Sequence, residues 1–128
     1  MGLKAPSMSS LKTRILHLCA REHLLPLRDH ALRNAGYAVE SVGDSKTALT
    51  RACSTPFDMV IIDVESDAQM NRAEEFCEHI RQALPDITVA FACNWQVSRN
   101  SQCPDEVIHT EFNPDAFVSG IRQMLKPN

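Results

Sequence analysis

Apolar and polar positions alternate along this chain in two rhythms. Short runs are continuously apolar or apolar at every second position. Longer stretches carry apolar residues three or four apart, as a helix with one buried face does. Arg14-Ile15-Leu16-His17-Leu18-Cys19 reads as a first strand. Residues 22–35 follow as a helix, with Leu24, Leu27, Ala31 and Leu32 as its inward positions. Pro26 fits that helix only in its first turn, and Gly36 supplies the left-handed residue that closes it. Tyr37-Ala38-Val39-Glu40-Ser41-Val42 is the second strand. Asp44 or Ser45 can then cap a helix running to about Cys53, with Ala48, Leu49 and Ala52 inward. After Pro56 comes the most apolar run, a third strand over residues 57–63. The spacing next predicts a loop and a helix over residues 73–84, with Phe76, Ile80, Ala83 and Leu84 on one face. A fourth strand over residues 87–92, a short fifth at Val107-Ile108-His109-Thr110 and a last helix complete the pattern. Asn113-Pro114 is a cap followed by a favoured first-turn proline, and Phe117, Ile121, Met124 and Leu125 form that helix's stripe.

Strands alternating with helices imply an α/β protein: a parallel sheet with helices on both faces, joined by right-handed crossovers. The third strand ends on an acid, Asp63. Ligands of such sheets gather beyond the carboxyl ends of the strands, so Asp63 stands where chemistry would be done.

Composition narrows the function classes. At 128 residues the chain is one domain, able to bury roughly two-thirds of its unfolded surface. With 44% hydrophobic residues it is not a disordered protein. A net charge of −3 argues against a nucleic-acid surface, which needs clustered Lys and Arg. No apolar stretch is long enough to span a membrane. Residues 1–12 read as a disordered lead: they lack a signal-peptide core, and Pro6 stands where a myristoylation signal needs Ser or Thr. The folded domain is then residues 13–127. Five cysteines, an odd number without a CxxC, point to reduced thiols and a cytoplasmic protein. Four glycines, Gly2, Gly36, Gly43 and Gly120, make no phosphate-binding loop, and no Ser or Cys occupies a nucleophile elbow, so an enzyme is not expected. A flavodoxin-type flavin binder would need a Ser/Thr/Gly-rich loop after the first strand, and none is present.

In order and spacing, several segments resemble the receiver domain of two-component response regulators. They are Arg14-Ile15-Leu16, Ala35-Gly36-Tyr37, Pro56 through Val64, Arg81, Leu84-Pro85-Asp86-Ile87 and Phe112-Asn113-Pro114-Asp115. The resemblance covers roughly residues 14–126. It implies a flavodoxin-like, doubly wound five-stranded sheet of order 2-1-3-4-5. It also implies that Asp63 matches the aspartate that accepts a phosphoryl group from a histidine kinase. The other positions depart from the family. Two acids that help hold Mg²⁺ are matched by Cys19 and Ala20, the Ser or Thr ending the fourth strand by Cys93, and the Lys-Pro pair ending the fifth by Thr110-Glu111. The segment opened by Glu65 lacks the family's Pro and Gly. Mg²⁺ wants carboxylate oxygens, which Ala20 does not offer, and avoids soft sulfur. Phosphoryl transfer depends on such charge neutralisation. The resemblance therefore implies a degenerate pseudo-receiver with weak or absent Mg²⁺ binding and no other cofactor.

Residues 94–106 are too few and too turn-rich for a full helix, so the family's fourth helix is expected to be short or missing. Trp95, Val107, Phe112 and Phe117 then become candidates for an exposed interface with a protein partner or a second copy. The partner implied by the resemblance is a histidine kinase or a downstream signalling protein. Two alternatives stay open. One is a conventional receiver phosphorylated on Asp63. The other is a thiol- or metal-based sensor using Cys19 and Cys93. Thiolate, imidazole and carboxylate are zinc ligands, and His17 lies on the Cys19 face of its strand while His109 points to the other face. The plainer reading of both cysteines is small buried hydrophobes.

Overall fold

A computed structural model of the chain describes residues 12–94, 96–110 and 114–125. Five strands form one parallel sheet: β1 (Arg14–Leu18), β2 (Ala38–Val42), β3 (Met59–Val64), β4 (Thr88–Cys93) and β5 (Glu106–His109). Their spatial order is β2-β1-β3-β4-β5, as the resemblance implies. The helices are α1 (Leu24–Asn34), α2 (Ser45–Ser54), α3 (Asp67–Ala83) and α4 (Pro114–Leu125).

The alternation of side chains along each strand sorts the core into two layers. Leu16, Leu18, Val60, Ile62, Val64, Val89, Phe91 and Cys93 face α2 and α3, where Ala48, Met70, Phe76 and Ile80 cover them. Ile15, Val39, Met59, Ile61, Ala90, Ala92 and Ile108 face the other way, onto Leu32 of α1 and Phe117 and Ile121 of α4. Every residue of β3 is buried, which explains its continuous apolar run.

Local chemistry sets the boundaries. Asp44 caps α2 by accepting from the Thr47 amide at 2.8 Å. Pro26 sits in the first turn of α1, and Gly36 takes a φ of 100° just beyond its end. Gly120 lets α4 approach β5, since a Cβ there would lie 2.8 Å from Ile108 Cγ2.

Several expectations are corrected. The third helix starts at Asp67, not Ala73, because Ala68, Gln69 and Met70 are good helix formers and Met70 is fully buried. Leu27, expected inward, is 66% exposed, and Arg28 takes the inward place four residues before Leu32. Among the described residues of 94–105 there is no helix. The segment is tied down instead. Asp67 accepts from the amides of Ser98 and Arg99, each at 2.9 Å, and from the Ser98 hydroxyl at 2.7 Å. Arg81 donates to the Cys103 carbonyl at 2.7 Å, and Val97 is buried. These ties cover the flank that a missing helix was expected to leave open. Phe117 is fully buried and Val107 is half-buried against the α2–α3 layer, so neither makes an exposed patch. Trp95 and Phe112 lie outside the described residues. The expectation of five free thiols is also corrected: Cys77 of α3 and Cys103 form a disulfide, leaving Cys19, Cys53 and Cys93 free.

Candidate functional site

The carboxyl ends of β1, β3, β4 and β5 meet at one edge of the sheet. Asp63 pairs in register with Ala92, Cys93 follows one residue on, and the Thr110 amide donates to the Cys93 carbonyl at 2.9 Å. Cys19 leaves β1 beside them, its amide bonded to the Val42 carbonyl at 3.0 Å. Cys19, Asp63, Cys93 and Thr110 therefore lie along this one edge at the ends of four successive strands, as the strand pattern predicts.

Both oxygens of Asp63 are engaged. Oδ2 lies 2.6 Å from His17 Nε2, and Oδ1 accepts from Arg28 Nε at 3.1 Å. The side chain is 2% exposed and that of His17 is wholly buried. The Arg28 guanidinium reaches Asp63 from α1 while stacking over the Phe117 ring, 4.8 Å from its centroid. The network continues behind His17. Its Nδ1 lies 2.9 Å from Ser41 Oγ on β2. Ser41 donates to Asp29 at 2.8 Å, and Asp29 accepts from Arg33 Nε at 2.6 Å. Arg33 also donates to the Val39 carbonyl. Burial acts to raise the Asp29 pKa, but hydrogen bonds from Arg33 and Ser41, with the charges of Arg33 and His17, outweigh it and hold the carboxyl below its ordinary 3.8.

The remaining positions are disposed differently. The Cys19 thiol, directed at the Arg21 carbonyl at 3.7 Å, is pushed up to about 12 by burial and by the nearby charge of Asp63. Cys93 is pushed up to about 11 for the same two reasons, with Asp67 adding to them. Cys93 packs into the α2–α3 layer, whereas Cys19 Sγ lies within 4.8 Å of the ligand atoms of His17 and Asp63. The alternative of a sensor built on Cys19 and Cys93 together is not favoured, because they lie on different sides of the sheet and burial raises the pKa of both thiols. Ala20 is exposed, Glu65 is held by Arg21 at 2.7 Å, and the buried Thr110 hydroxyl donates to the Cys93 carbonyl at 3.4 Å. His109 is exposed on the outer strand.

Mg²⁺, which the fold family implies, does not fit this donor set. Of the carboxylates near the edge, Asp63 is tied by a histidine and an arginine and Glu65 by an arginine, and the other two pocket positions are a thiol and a methyl group.

Sequence reasoning missed Arg28, Ser41, Asp29 and Arg33. The signal for Arg28 was present: it interrupts the stripe of Leu24 and Leu32 at four-residue spacing. Ser41 sits opposite His17 in the β1–β2 register, a pairing visible only once the strands are aligned.

No known protein-family profile matches the sequence, and no curated protein matches it. Solved structures do. A response regulator receiver domain protein (CheY-like) from Methanospirillum hungatei JF-1 superposes with a TM-score of 0.72 at 19% identity, covering 91% of this chain and 94% of that one. A chain from the complex of histidine kinase ThkA with response regulator TrrA, the latter from Thermotoga maritima, gives 0.75 at 22% identity, covering 89% and 99%. A member of a family described as redox sensors in the streptococci evolved from two-component response regulators gives 0.74 at 19%, covering 89% of this chain and 51% of that one. The chain has the CheY-like receiver fold, and at these identities the likeness is one of fold.

Proposed function

We propose that this protein is a pseudo-receiver of two-component signalling. It works through protein–protein contacts rather than by an Asp63 phosphorylation cycle. The observation that carries this is the engagement of both Asp63 oxygens by His17 and Arg28 on a side chain that is 2% exposed. A phosphoacceptor needs a free oxygen and a metal beside it. Here Arg28 sets a fixed positive charge against Oδ1, and His17 occupies Oδ2, so neither oxygen is left for a metal or a phosphoryl group. Asp63 then organises α1 against β1 and β3 instead of reacting. The fold supports a partner of the kind receivers engage, a histidine kinase or a downstream signalling protein, or a second copy of this chain. A cytoplasmic location goes with this reading, and so does the absence of an enzymatic role.

The reading is tested with acetyl phosphate and Mg²⁺, followed by intact mass. Most of the protein should remain unmodified. Near-complete addition of one phosphoryl group, lost in Asp63→Asn, would establish the conventional receiver instead.

One observation favours a thiol-sensor reading of the same protein. Cys77 and Cys103 tie α3 to the segment that stands in place of a helix between β4 and β5. In a reducing compartment such a bond forms only transiently. Closing the 26-residue separation stabilises the chain by about 3–4 kcal/mol. Denaturation midpoints that coincide with and without dithiothreitol, in a protein shown oxidised at the outset, would count against it.

A further inference from the structure

Hydrogen atoms can be counted along the buried chain at the sheet edge. The Ser41 hydroxyl has one hydrogen, and it goes to Asp29 at 2.8 Å. Ser41 Oγ must therefore accept from His17 Nδ1, which lies 2.9 Å away. That fixes a hydrogen on Nδ1 and turns the Nε2 lone pair toward Asp63. At 2.6 Å, Nε2 and Oδ2 cannot face each other as two lone pairs, so a positive species lies between them. A proton fills that role. A metal ion would fill it as well, because an imidazole with Nδ1–H bonded to an oriented oxygen acceptor is the arrangement that presents Nε2 to a metal.

A third ligand atom is in place. Cys19 Sγ, His17 Nε2 and the Asp63 carboxylate all lie within 4.8 Å of one another, and all three residues are buried. Arg28 occupies Oδ1 and leaves Oδ2 toward the histidine. We propose that His17, Cys19 and Asp63 form a three-ligand site for a soft divalent transition cation of the zinc class, with a fourth position open to water or another exchangeable ligand. Imidazole nitrogen, thiolate and carboxylate match that class, and sulfur excludes Mg²⁺. The proposal starts from the same His17–Asp63 contact as the signalling reading, but its test reads metal and thiolate rather than phosphoryl transfer.

Charge balance favours the exchange. On binding, bonds form from the metal to Nε2, Sγ and Oδ2. The Cys19 thiol proton and the proton between Nε2 and Oδ2 leave to solvent. One dication replaces two protons, so the buried pocket keeps its net charge and gains no uncompensated ion. Nε2 and Oδ2 must part by somewhat less than an ångström to reach tetrahedral spacing around bonds of about 2 Å. Of the three ligands only Asp63 borders a depression, one of about 240 Å³ that Leu18, Ala20 and Gly43 also line, so an ion would reach the site from the Asp63 side.

Cobalt(II) is the probe, titrated into the full chain with the Cys77–Cys103 bond intact. One equivalent should produce a near-ultraviolet thiolate-to-cobalt band and intense visible bands of a tetrahedral site. Zinc(II) should displace both. Cys19→Ser should abolish the thiolate band with circular dichroism unchanged. Cys19→Ala serves as a second variant should serine disturb folding. His17→Gln should weaken binding at least about tenfold, as loss of a ligand does. Cys53→Ser, on the exposed thiol, should change nothing. No saturable thiolate band, or one that survives Cys19→Ser and vanishes in Cys53→Ser, overturns the assignment. Either result leaves the phosphorylation test untouched.

Discussion

Replacing Asp63 by asparagine separates this protein from a receiver with an acidic pocket by the sign of the effect. Where several carboxylates crowd one site, neutralising one relieves repulsion, and the fold gains stability. Here the acid faces two cation-capable side chains. The amide introduced by Asp63→Asn would keep an acceptor oxygen for Arg28 Nε and an NH₂ for His17 Nε2, but it would remove the negative charge that pairs with the Arg28 guanidinium and with the proton held between Nε2 and Oδ2. Breaking a buried ion pair by removing one partner costs about 3–5 kcal/mol. The loss should fall below the top of that range, because Arg28 is 14% exposed and keeps its place over Phe117. About 2–4 kcal/mol is the expected destabilisation, a large share of the roughly 5–15 kcal/mol that folds a domain. For a chain of this size that lowers the melting temperature by roughly 10 °C. Urea denaturation followed by circular dichroism measures it, with an unchanged slope showing that the folded state is still compact. An Asp63→Asn protein as stable as the parent, or more so, would remove the basis for reading Asp63 as a structural acid.

Other expectations follow from the same geometry. Gly120→Ala should cost about 1–3 kcal/mol in denaturant, because its Cβ would press to 2.8 Å from Ile108 Cγ2, whereas Gly36→Ala, open in space but at a φ of 100°, should cost about 1 kcal/mol through backbone strain alone. At pH 8 a thiol reagent should modify Cys53 quickly and leave Cys19 and Cys93 until the chain unfolds; rapid loss of all three thiols would contradict their burial. Both buried thiols have pKa values raised above the unfolded 9.0, so the stability they confer is complete below pH 9 and is lost as pH rises toward 11–12. A melting temperature that stays flat through this window would disprove the linkage. Asp29 works in the opposite direction: its pKa is depressed, so its contribution is complete above pH 3.8 and is lost as pH falls through the lower folded value, and Asp29→Asn should flatten that acid limb.

The elements most legible in the sequence were those with one dominant physical cause. β3 announces itself because both its faces are buried, and α4 because Pro114 and a regular stripe mark its start and its inner side. The start of α3 was not legible. Residues 67–72 are mostly polar and read as a loop, and the helix begins there because Met70 finds a core to enter. The site was half legible. Asp63 and the loss of the usual acids could be read from strand ends, and the placing of His17 behind Cys19 from strand parity. What could not be read was the identity of the partners. Arg28 falls at helical spacing between Leu24 and Leu32, but the neighbouring Leu27 took its place in the predicted stripe. An arginine enters a buried face only when a carboxylate waits there, and that carboxylate comes from a strand 35 residues away. The Cys77–Cys103 pairing was hidden for a similar reason, since it depends on how residues 94–105 fold over α3.

Nuclear magnetic resonance of the folded protein titrated with Mg²⁺, then with beryllofluoride as a phosphoryl mimic, addresses the central claim most directly. If Asp63 is already satisfied by His17 and Arg28, the amides of residues 17–20 and 63–65 should show no saturable shift, and the His17 side-chain signals should stay unmoved. A saturable shift centred on Asp63, with the His17 signals released from their bonded positions, would show that the pocket opens to metal and phosphoryl group and would contradict the account.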